Sequence, residues 1–438
     1  MLARGESGPQ RMRADKWHAA ACELFAVLPV CAVLVLLSPA VAFPQAKNGC
    51  LECHMQFDAP LHTSPDEYAA SIHAERGITC ASCHGGDPTT DGADKAMAKA
   101  AGFKGPIERK GIPAFCAKCH ADAAYMRGFD PSLRTDQPAQ YRTSVHGEML
   151  ARGDDKVAVC TDCHGVHDIL APNDPRAHVH PTNVAETCAK CHADGEYMKP
   201  YKIPIDQFAL YNTSVHRAAL VNRGDLSAPT CSTCHGSHGA APPGVKSVVN
   251  VCSTCHVFQA QLFDSGPHKE AFESMDLPGC ITCHSNHGIQ HPTDALVGTS
   301  NGAICLKCHS AGEPGYEVAG AIHDQLVKLD TAISRSDSIL TRAELSGMEV
   351  EQAKLELAEA RDDLTKARVT IHSVQPAKVD DDIQASLKVA DRTYQAGLAA
   401  LAERSYRRRG LFISLGISLL VLLGIALLIR KLEGHSHE

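Results

Sequence analysis

A mainly α-helical chain with much irregular structure is the fold class that three features of the sequence predict. Residues 50–309 are dense in Cys and His and broken by many Gly and Pro residues. After residue 309 the cysteines stop, Gly and Pro become scarce, and apolar residues recur at heptad spacing. Residues 411–429 then form an uncharged run close to the end. The 438 residues allow two or three domains on length alone. With 5% aromatic and 44% apolar residues, side chains alone would make a thin core for a chain this long. The net charge of −8 and the lack of a basic stripe argue against a nucleic-acid partner.

Taken in order, residues 1–42 read as a secretory signal. Arg4, Arg11, Arg13 and Lys16 form a basic start, residues 19–37 are apolar apart mainly from Glu23, and Ala40 and Ala42 fit an A-x-A cleavage pattern. An uncleaved anchor is the competing reading, since the basic start is long for a signal. Cleavage would remove Cys22 and Cys31 and leave 18 of the 20 cysteines.

Those 18 are Cys50 and Cys53, Cys80 and Cys83, Cys116 and Cys119, Cys160 and Cys163, Cys188 and Cys191, Cys231 and Cys234, Cys252 and Cys255, Cys280 and Cys283, and Cys305 and Cys308. Each pair is C-x-x-C, and each is followed at once by a histidine: His54, His84, His120, His164, His192, His235, His256, His284 and His309. On a helical turn, positions i, i+3 and i+4 share a face. Two thiols can therefore add to the vinyl groups of one porphyrin while the imidazole binds its iron, which is the attachment signature of c-type haem. Disulfides, zinc ribbons and a thioredoxin-like pair do not call for a histidine behind every second cysteine. Nine motifs of nine, using every remaining cysteine, predict a haem-packed domain carrying nine covalently bound haem c.

The motifs come in repeats. "CAKCHADAAYM" at 116–126 returns 72 residues later as "CAKCHADGEYM" at 188–198. Each is followed by Y-x-T-S-V-H, by R-G-D, and by C-x-x-C-H-G-x-H; a shortened copy spans 252–287 and a partial one 71–84. The R-G-D reads as a turn within the repeat. Electron carriers fill both axial positions of the iron, so nine irons ask for nine further ligands. Seven candidates recur with the repeat: His73, His146, His216 and His268 ahead of a motif, and His167, His238 and His287 three residues beyond one. A histidine so close behind its own motif is expected to reach a neighbouring haem instead. His180 and His372 complete the set, with His62, His178, His291 and His323 as alternatives. Met126 and Met198 also recur and read as packing residues.

In the C-terminal part, residues 321–371 form a long helical pattern. Val350, Leu357, Leu364 and Ile371 step by seven, interleaved with Ala353, Ala360, Ala367 and Val374. Gly347 marks a possible bend. "HSVQPAKVDDD" at 372–382 interrupts the pattern, and Ile383, Leu387, Ala390, Tyr394, Leu398 and Leu401 open a second amphipathic helix. An antiparallel hairpin is the expected arrangement, with a homodimer through the seam as the alternative. Residues 411–429 have the minimum length of a membrane span and lie between Arg407-Arg408-Arg409 and Arg430-Lys431. Export and haem chemistry put the haem domain outside the cytoplasmic membrane, although the three arginines alone would favour the opposite orientation. Those arginines are assigned to lipid phosphates or a partner subunit. His435 and His437 in the tail are given no role. The expected domains are a signal peptide (1–42), a nonahaem cytochrome c domain (43–315), a long helical hairpin (316–409), a transmembrane helix (410–430) and a cytoplasmic tail (431–438).

The repeated "SVH…CTDCHGVHDI" and "TCAKCH" units resemble membrane-anchored multihaem cytochromes of the cytochrome c3-like, doubled-CxxCH superfamily. The resemblance covers residues 50–309 most fully, and "ARVTIHSV" with the terminal span matches less specifically. It implies bis-histidine haems in close chains and electron transfer with a quinol-oxidising membrane partner, as in bacterial anaerobic respiratory chains. The expected activity is that of a single-pass, periplasm-facing electron carrier, without substrate chemistry of its own, serving periplasmic carriers or a terminal reductase. The alternative is a reductase or oxidase acting on a nitrogen or sulfur oxyanion at an open haem site, which the lack of a C-x-x-C-K motif disfavours.

Overall fold

The computed structural model describes residues 48–241 and 251–435. The signal-peptide expectation, at 1–42, and residues 436–438 of the tail lie outside them. Helices and irregular segments make up the described residues, with no strand among them. Contacts divide the chain into two compact units: residues up to 63 together with 80–105, and residues 64–79 together with everything from 106 onward.

In the first unit, the helices Gly49–His54 and Cys80–His84 each end on a motif histidine. Asn48 caps the first by accepting from the Leu51 N–H at 3.3 Å, while its amide donates to Cys80 Sγ at 3.6 Å. The Gly49 N–H donates to the Pro88 carbonyl at 3.0 Å.

The second unit shows why the repeat is written as it is. The buried Ser71, Ser144 and Ser214 each start a helix with the hydroxyl, which accepts from the N–H of His73 (3.2 Å), Gly147 (3.0 Å) and Arg217 (3.2 Å). The histidine of each S-x-H string is thereby fixed in the first helical turn. Three residues before the serine, Tyr68, Tyr141 and Tyr211 donate through their hydroxyls to the carbonyls of Ile78, Ala158 and Pro229 at 2.8–3.0 Å, just ahead of the next motif. The residue after the serine ties the repeats together. The N–H groups of Ile72, Val145 and Val215 donate to the carbonyls of Ile169, Ala240 and Ile289 at 2.8–3.0 Å. Each acceptor lies two residues beyond His167, His238 or His287.

The C-terminal part is a bundle of three helices, which corrects the expected hairpin. Its first helix, Pro314–Glu344, ends where Gly347 adopts a left-handed φ of +78° and the Gly347 N–H caps the Glu344 carbonyl at 2.8 Å. The second helix, Glu351–Thr370, runs back, and the third, Pro376–His435, continues unbroken for 60 residues. Ion pairs set the antiparallel run of the first two: Lys354–Glu344 at 2.8 Å, Arg361–Asp337 at 2.5 Å and Arg368–Asp330 at 3.3 Å. Of the heptad positions named from sequence, Val350, Leu357, Ala360, Leu364, Ala367, Ile383 and Ala390 are buried in one core with Leu326, Leu329, Leu340 and Val379. Ala353, Ile371, Leu387 and Leu401 pack against it, and Leu398 is exposed. Ser336 and Thr393, also buried, share a hydrogen bond of 2.7 Å.

The expected span at 410–430 is the exposed far part of the third bundle helix, not a separate element. That helix is long and apolar enough to cross a membrane, with a window of mean hydropathy 2.8. Where the second helix turns into the third, Val374 takes a left-handed φ of +53°. This end of the bundle meets the motif-bearing chain. Gln375 Nε2 donates to the Ser265 carbonyl at 3.4 Å, and Arg368 grips Asp294 with two hydrogen bonds of 2.7 and 2.8 Å.

Truncating a buried heptad leucine removes transfer energy and leaves a cavity. Leu357→Ala is expected to lower unfolding free energy by about 2–5 kcal/mol, read by denaturant unfolding followed at 222 nm in the far-UV spectrum of the purified chain. Leu355→Ala, at an exposed site, should stay within about 0.5 kcal/mol.

Candidate haem-binding centres

The motif helices are short and held at their starts. In C160-T-D-C-H, Asp162 accepts from the Val159 N–H at 2.7 Å, closing the N-terminus of Cys160–His164. Arg109 binds the same carboxylate through both terminal nitrogens, at 3.0 and 2.5 Å, and also donates to the Val157 carbonyl at 3.0 Å. The hydrogen bonds that Arg109 donates to Asp162, with the ion pair, raise the Arg109 pKa. In the matching C231-S-T-C-H, Thr233 takes the place of Asp162 and accepts from the Thr230 N–H at 3.1 Å. Directly behind the motif histidine the chain reverses through positive φ at Gly165 (+86°), Gly236 (+83°) and Ser285 (+61°).

None of the 18 motif cysteines forms a disulfide among the described residues. The first cysteines of successive motifs neighbour each other as Cys50 with Cys80, Cys116 with Cys160, Cys188 with Cys231 and Cys252 with Cys280. The second cysteines pair in the alternate steps, Cys163 with Cys191, Cys234 with Cys255 and Cys283 with Cys308. Burial is the main cause that pushes the Cys163, Cys234 and Cys283 thiols up. Within the second unit, the motifs from Cys116 to Cys308 therefore adjoin in chain order, touching through alternate edges.

Histidines complete the geometry. His120 faces His73 with ring centres 6.1 Å apart, and His192 faces His146 at 6.1 Å. His164 faces His238 at 6.0 Å, His235 faces His287 at 6.0 Å, and His256 faces His216 at 6.3 Å. His284 faces His372 at 6.0 Å, and His309 faces His268 at 6.2 Å. Every pair joins one motif histidine to one histidine singled out from the repeats or from the helical region. A metal–imidazole bond is about 2 Å long and the ring centre lies roughly 1 Å further, so two rings sharing one metal ion stand about 6 Å apart. The residues present thus fit the iron of a haem held by two imidazoles.

The protonation of these rings fits as well. Burial pushes the pKa of His73, His120, His146, His192, His216, His268, His284 and His287 down. Burial and the facing His238 bring His164 down to about 4. Neutral imidazole is the form that binds metal. On three motif rings and on His372, Nδ1 lies at a backbone carbonyl: Leu61 for His54 (2.9 Å), Gly105 for His84 (3.1 Å), Ala241 for His235 (3.2 Å) and Val369 for His372 (2.8 Å). Donation from Nδ1 leaves the Nε2 lone pair for iron.

The stagger of the pairs is what the sequence did not reveal. A histidine ahead of one motif meets the motif after it: His146 precedes Cys160 and meets His192. A histidine three residues behind a motif meets the one two motifs back: His238 follows His235 and meets His164. His180 departs from the expectation. It is buried, its Nδ1 is 2.7 Å from Thr182 Oγ1, and its ring stands opposite no other imidazole among the described residues. Its place in "HVHPTNV" makes it a clasp of the loop before Val184–His192. His372, far from the motifs in sequence, stands opposite His284. His62 turns its Nδ1 to the Phe57 carbonyl at 3.0 Å. Met126 and Met198 are buried.

Comparison with protein families matches residues 72–193 to cytochrome c3 and residues 271–313 to the doubled CXXCH motif. Those two matches support a multihaem c-type cytochrome. Such domains bind haem c covalently and imply electron transfer. No curated protein and no solved structure matched the chain.

Removing the carboxylate that both closes a motif helix and holds Arg109 leaves a half-buried guanidinium without its partner. Asp162→Ala is expected to cost about 1–3 kcal/mol, read as a lowered thermal midpoint. Asp94→Ala, on an exposed helix of the first unit, should leave the midpoint unchanged.

Proposed function

We propose that this cytochrome binds nine haem c groups and relays single electrons on the outer face of the cytoplasmic membrane. Its expected partners are a quinol-oxidising membrane protein on one side and periplasmic carriers or a terminal reductase on the other. The observation that carries the reading is the set of seven imidazole pairs at 6.0–6.3 Å. Haem iron, when bound, supplies reversible one-electron chemistry.

The chain's own residues set the conditions for that chemistry. The thiols at i and i+3 tether each porphyrin, and the histidine at i+4 supplies one axial nitrogen. The second imidazole, brought from another stretch of chain, keeps substrates off those irons. A carrier needs such closure; a reductase needs an open position. Backbone carbonyls at Nδ1 hold the ring tautomer, and burial keeps the rings neutral. The alternate contacts of Cys116 with Cys160 and of Cys163 with Cys191 keep successive centres close enough for electrons to pass. The C-terminal helix anchors the protein, and the three arginines at 407–409 sit where the helix would meet lipid phosphates.

The haem content should be nine per chain by the pyridine haemochrome assay, and a lower count in the fully matured protein would refute the reading. His216→Ala should convert one further haem from low to high spin in the electron paramagnetic resonance spectrum. His238→Ala should do the same for a different haem. An unchanged spectrum in either variant would sink the corresponding ligand assignment.

A further inference from the structure

The pairing register leaves the first motif without a donor. The third, fifth, seventh and ninth motif histidines are His120, His192, His256 and His309. They face His73, His146, His216 and His268, and each of these donors lies ahead of the motif before. These donors lie 36–43 residues ahead of the first cysteine of the motif they serve. For Cys50 that spacing falls at 7–14, SGPQRMRA, which contains no histidine, and neither does FPQAKNG at 43–49.

Residues around the first motif do not make good the difference. The ring against His54 is Phe57, 5.7 Å away and edge-on at 72°. His62 is near in sequence, but no ring contact joins it to His54 among the described residues. The Leu61 carbonyl meets His54 at Nδ1, 2.9 Å away, so residues 61 and 62 stand behind the ring, away from the Nε2 that would take iron. His62 also turns its own Nδ1 to Phe57. "LRT" at 133–135 corresponds to "LHT" at 61–63, and there the middle residue is Arg134, held by Asp136 at 3.0 Å. That position is a surface ion pair in the repeat, not a ligand.

We propose that the haem attached through Cys50, Cys53 and His54 is held by a single imidazole and keeps its sixth position for a small exogenous ligand. The ligand class is one that binds haem iron end-on: a neutral diatomic such as carbon monoxide or nitric oxide on the reduced iron, or a small anion such as cyanide on the oxidised iron. The inference rests on the haem relay proposed above, and it makes the N-terminal centre chemically unlike the seven centres with paired imidazoles.

The test uses the full, haem-loaded chain. Carbon monoxide titrated into the dithionite-reduced protein should bind at one equivalent per chain, seen in the Soret difference spectrum. The oxidised protein should show a high-spin haem beside the low-spin ones. A Cys50→Ser/Cys53→Ser variant should lose both signals and keep the low-spin haems. No carbon monoxide uptake by the full chain, no high-spin signal, a signature of thioether sulfur on iron, or a carbon monoxide site that survives in the double variant would each overturn the assignment. The unaltered chain keeps the test decisive even where the double variant matures poorly. The relay reading fails by other outcomes, namely fewer than nine haems or a spectrum insensitive to His216→Ala.

Discussion

Two imidazoles facing each other across about 6 Å are the constraint on which the second unit depends. The partners are far apart in sequence: His216 and His256 are 40 residues apart, and His284 and His372 are 88 apart. The helices that carry them are short, commonly four to nine residues, and helices of that length are marginal alone in water. Their positions are instead set by links between repeats. Ser71, Ser144 and Ser214 start the donor helices, and the N–H groups of Ile72, Val145 and Val215 bind the stretch behind a later motif. An iron shared by each pair would close the same loops covalently and restrict the unfolded chain, as cross-links do.

The distribution of buried apolar residues follows from this division of labour. The continuous core of Ile322, Leu326, Leu329, Leu340, Leu357, Leu364 and their neighbours belongs to the three-helix bundle. Among the described residues the motif-bearing part shows a cluster of just three, Ala219, Leu220 and Ala228. So small a side-chain core is what the proposed haems would supplement, each presenting a large apolar face. The bundle, by contrast, is stable by ordinary heptad packing and reads in sequence as such. His372 lies at its turn and faces His284, so the two kinds of construction meet at a single imidazole pair, with Arg368 and Asp294 beside it.

Much of the site was legible because its chemistry is local. The C-x-x-C-H spacing places three ligating atoms on one helical face whatever surrounds them, and the S-x-H strings repeat because a serine cap must precede the helix that presents the histidine. His146, His216, His238 and His287 could therefore be named without knowing what they would meet. His180 shows the limit of such reasoning. A histidine close ahead of a motif fits the pattern by position, yet a hydroxyl two residues on, Thr182, holds it as a clasp within its own loop. The hairpin expectation failed on a similar local competition. The heptads at 321–371 continue in register across Gly347, but its left-handed backbone and the capped Glu344 carbonyl end the helix there.

By itself, the sequence determined the nine attachment motifs, the repeat, the candidate second ligands and the apolar helix at the end, since all of these depend on spacing along a few turns of chain. The tertiary structure alone decided which histidine faces which. It also decided that motifs in the second unit adjoin in chain order through alternate edges, and that the helical part folds as three helices with His372 at its turn. The histidine pairs join residues 40 or more positions apart, and no local spacing rule reaches that far.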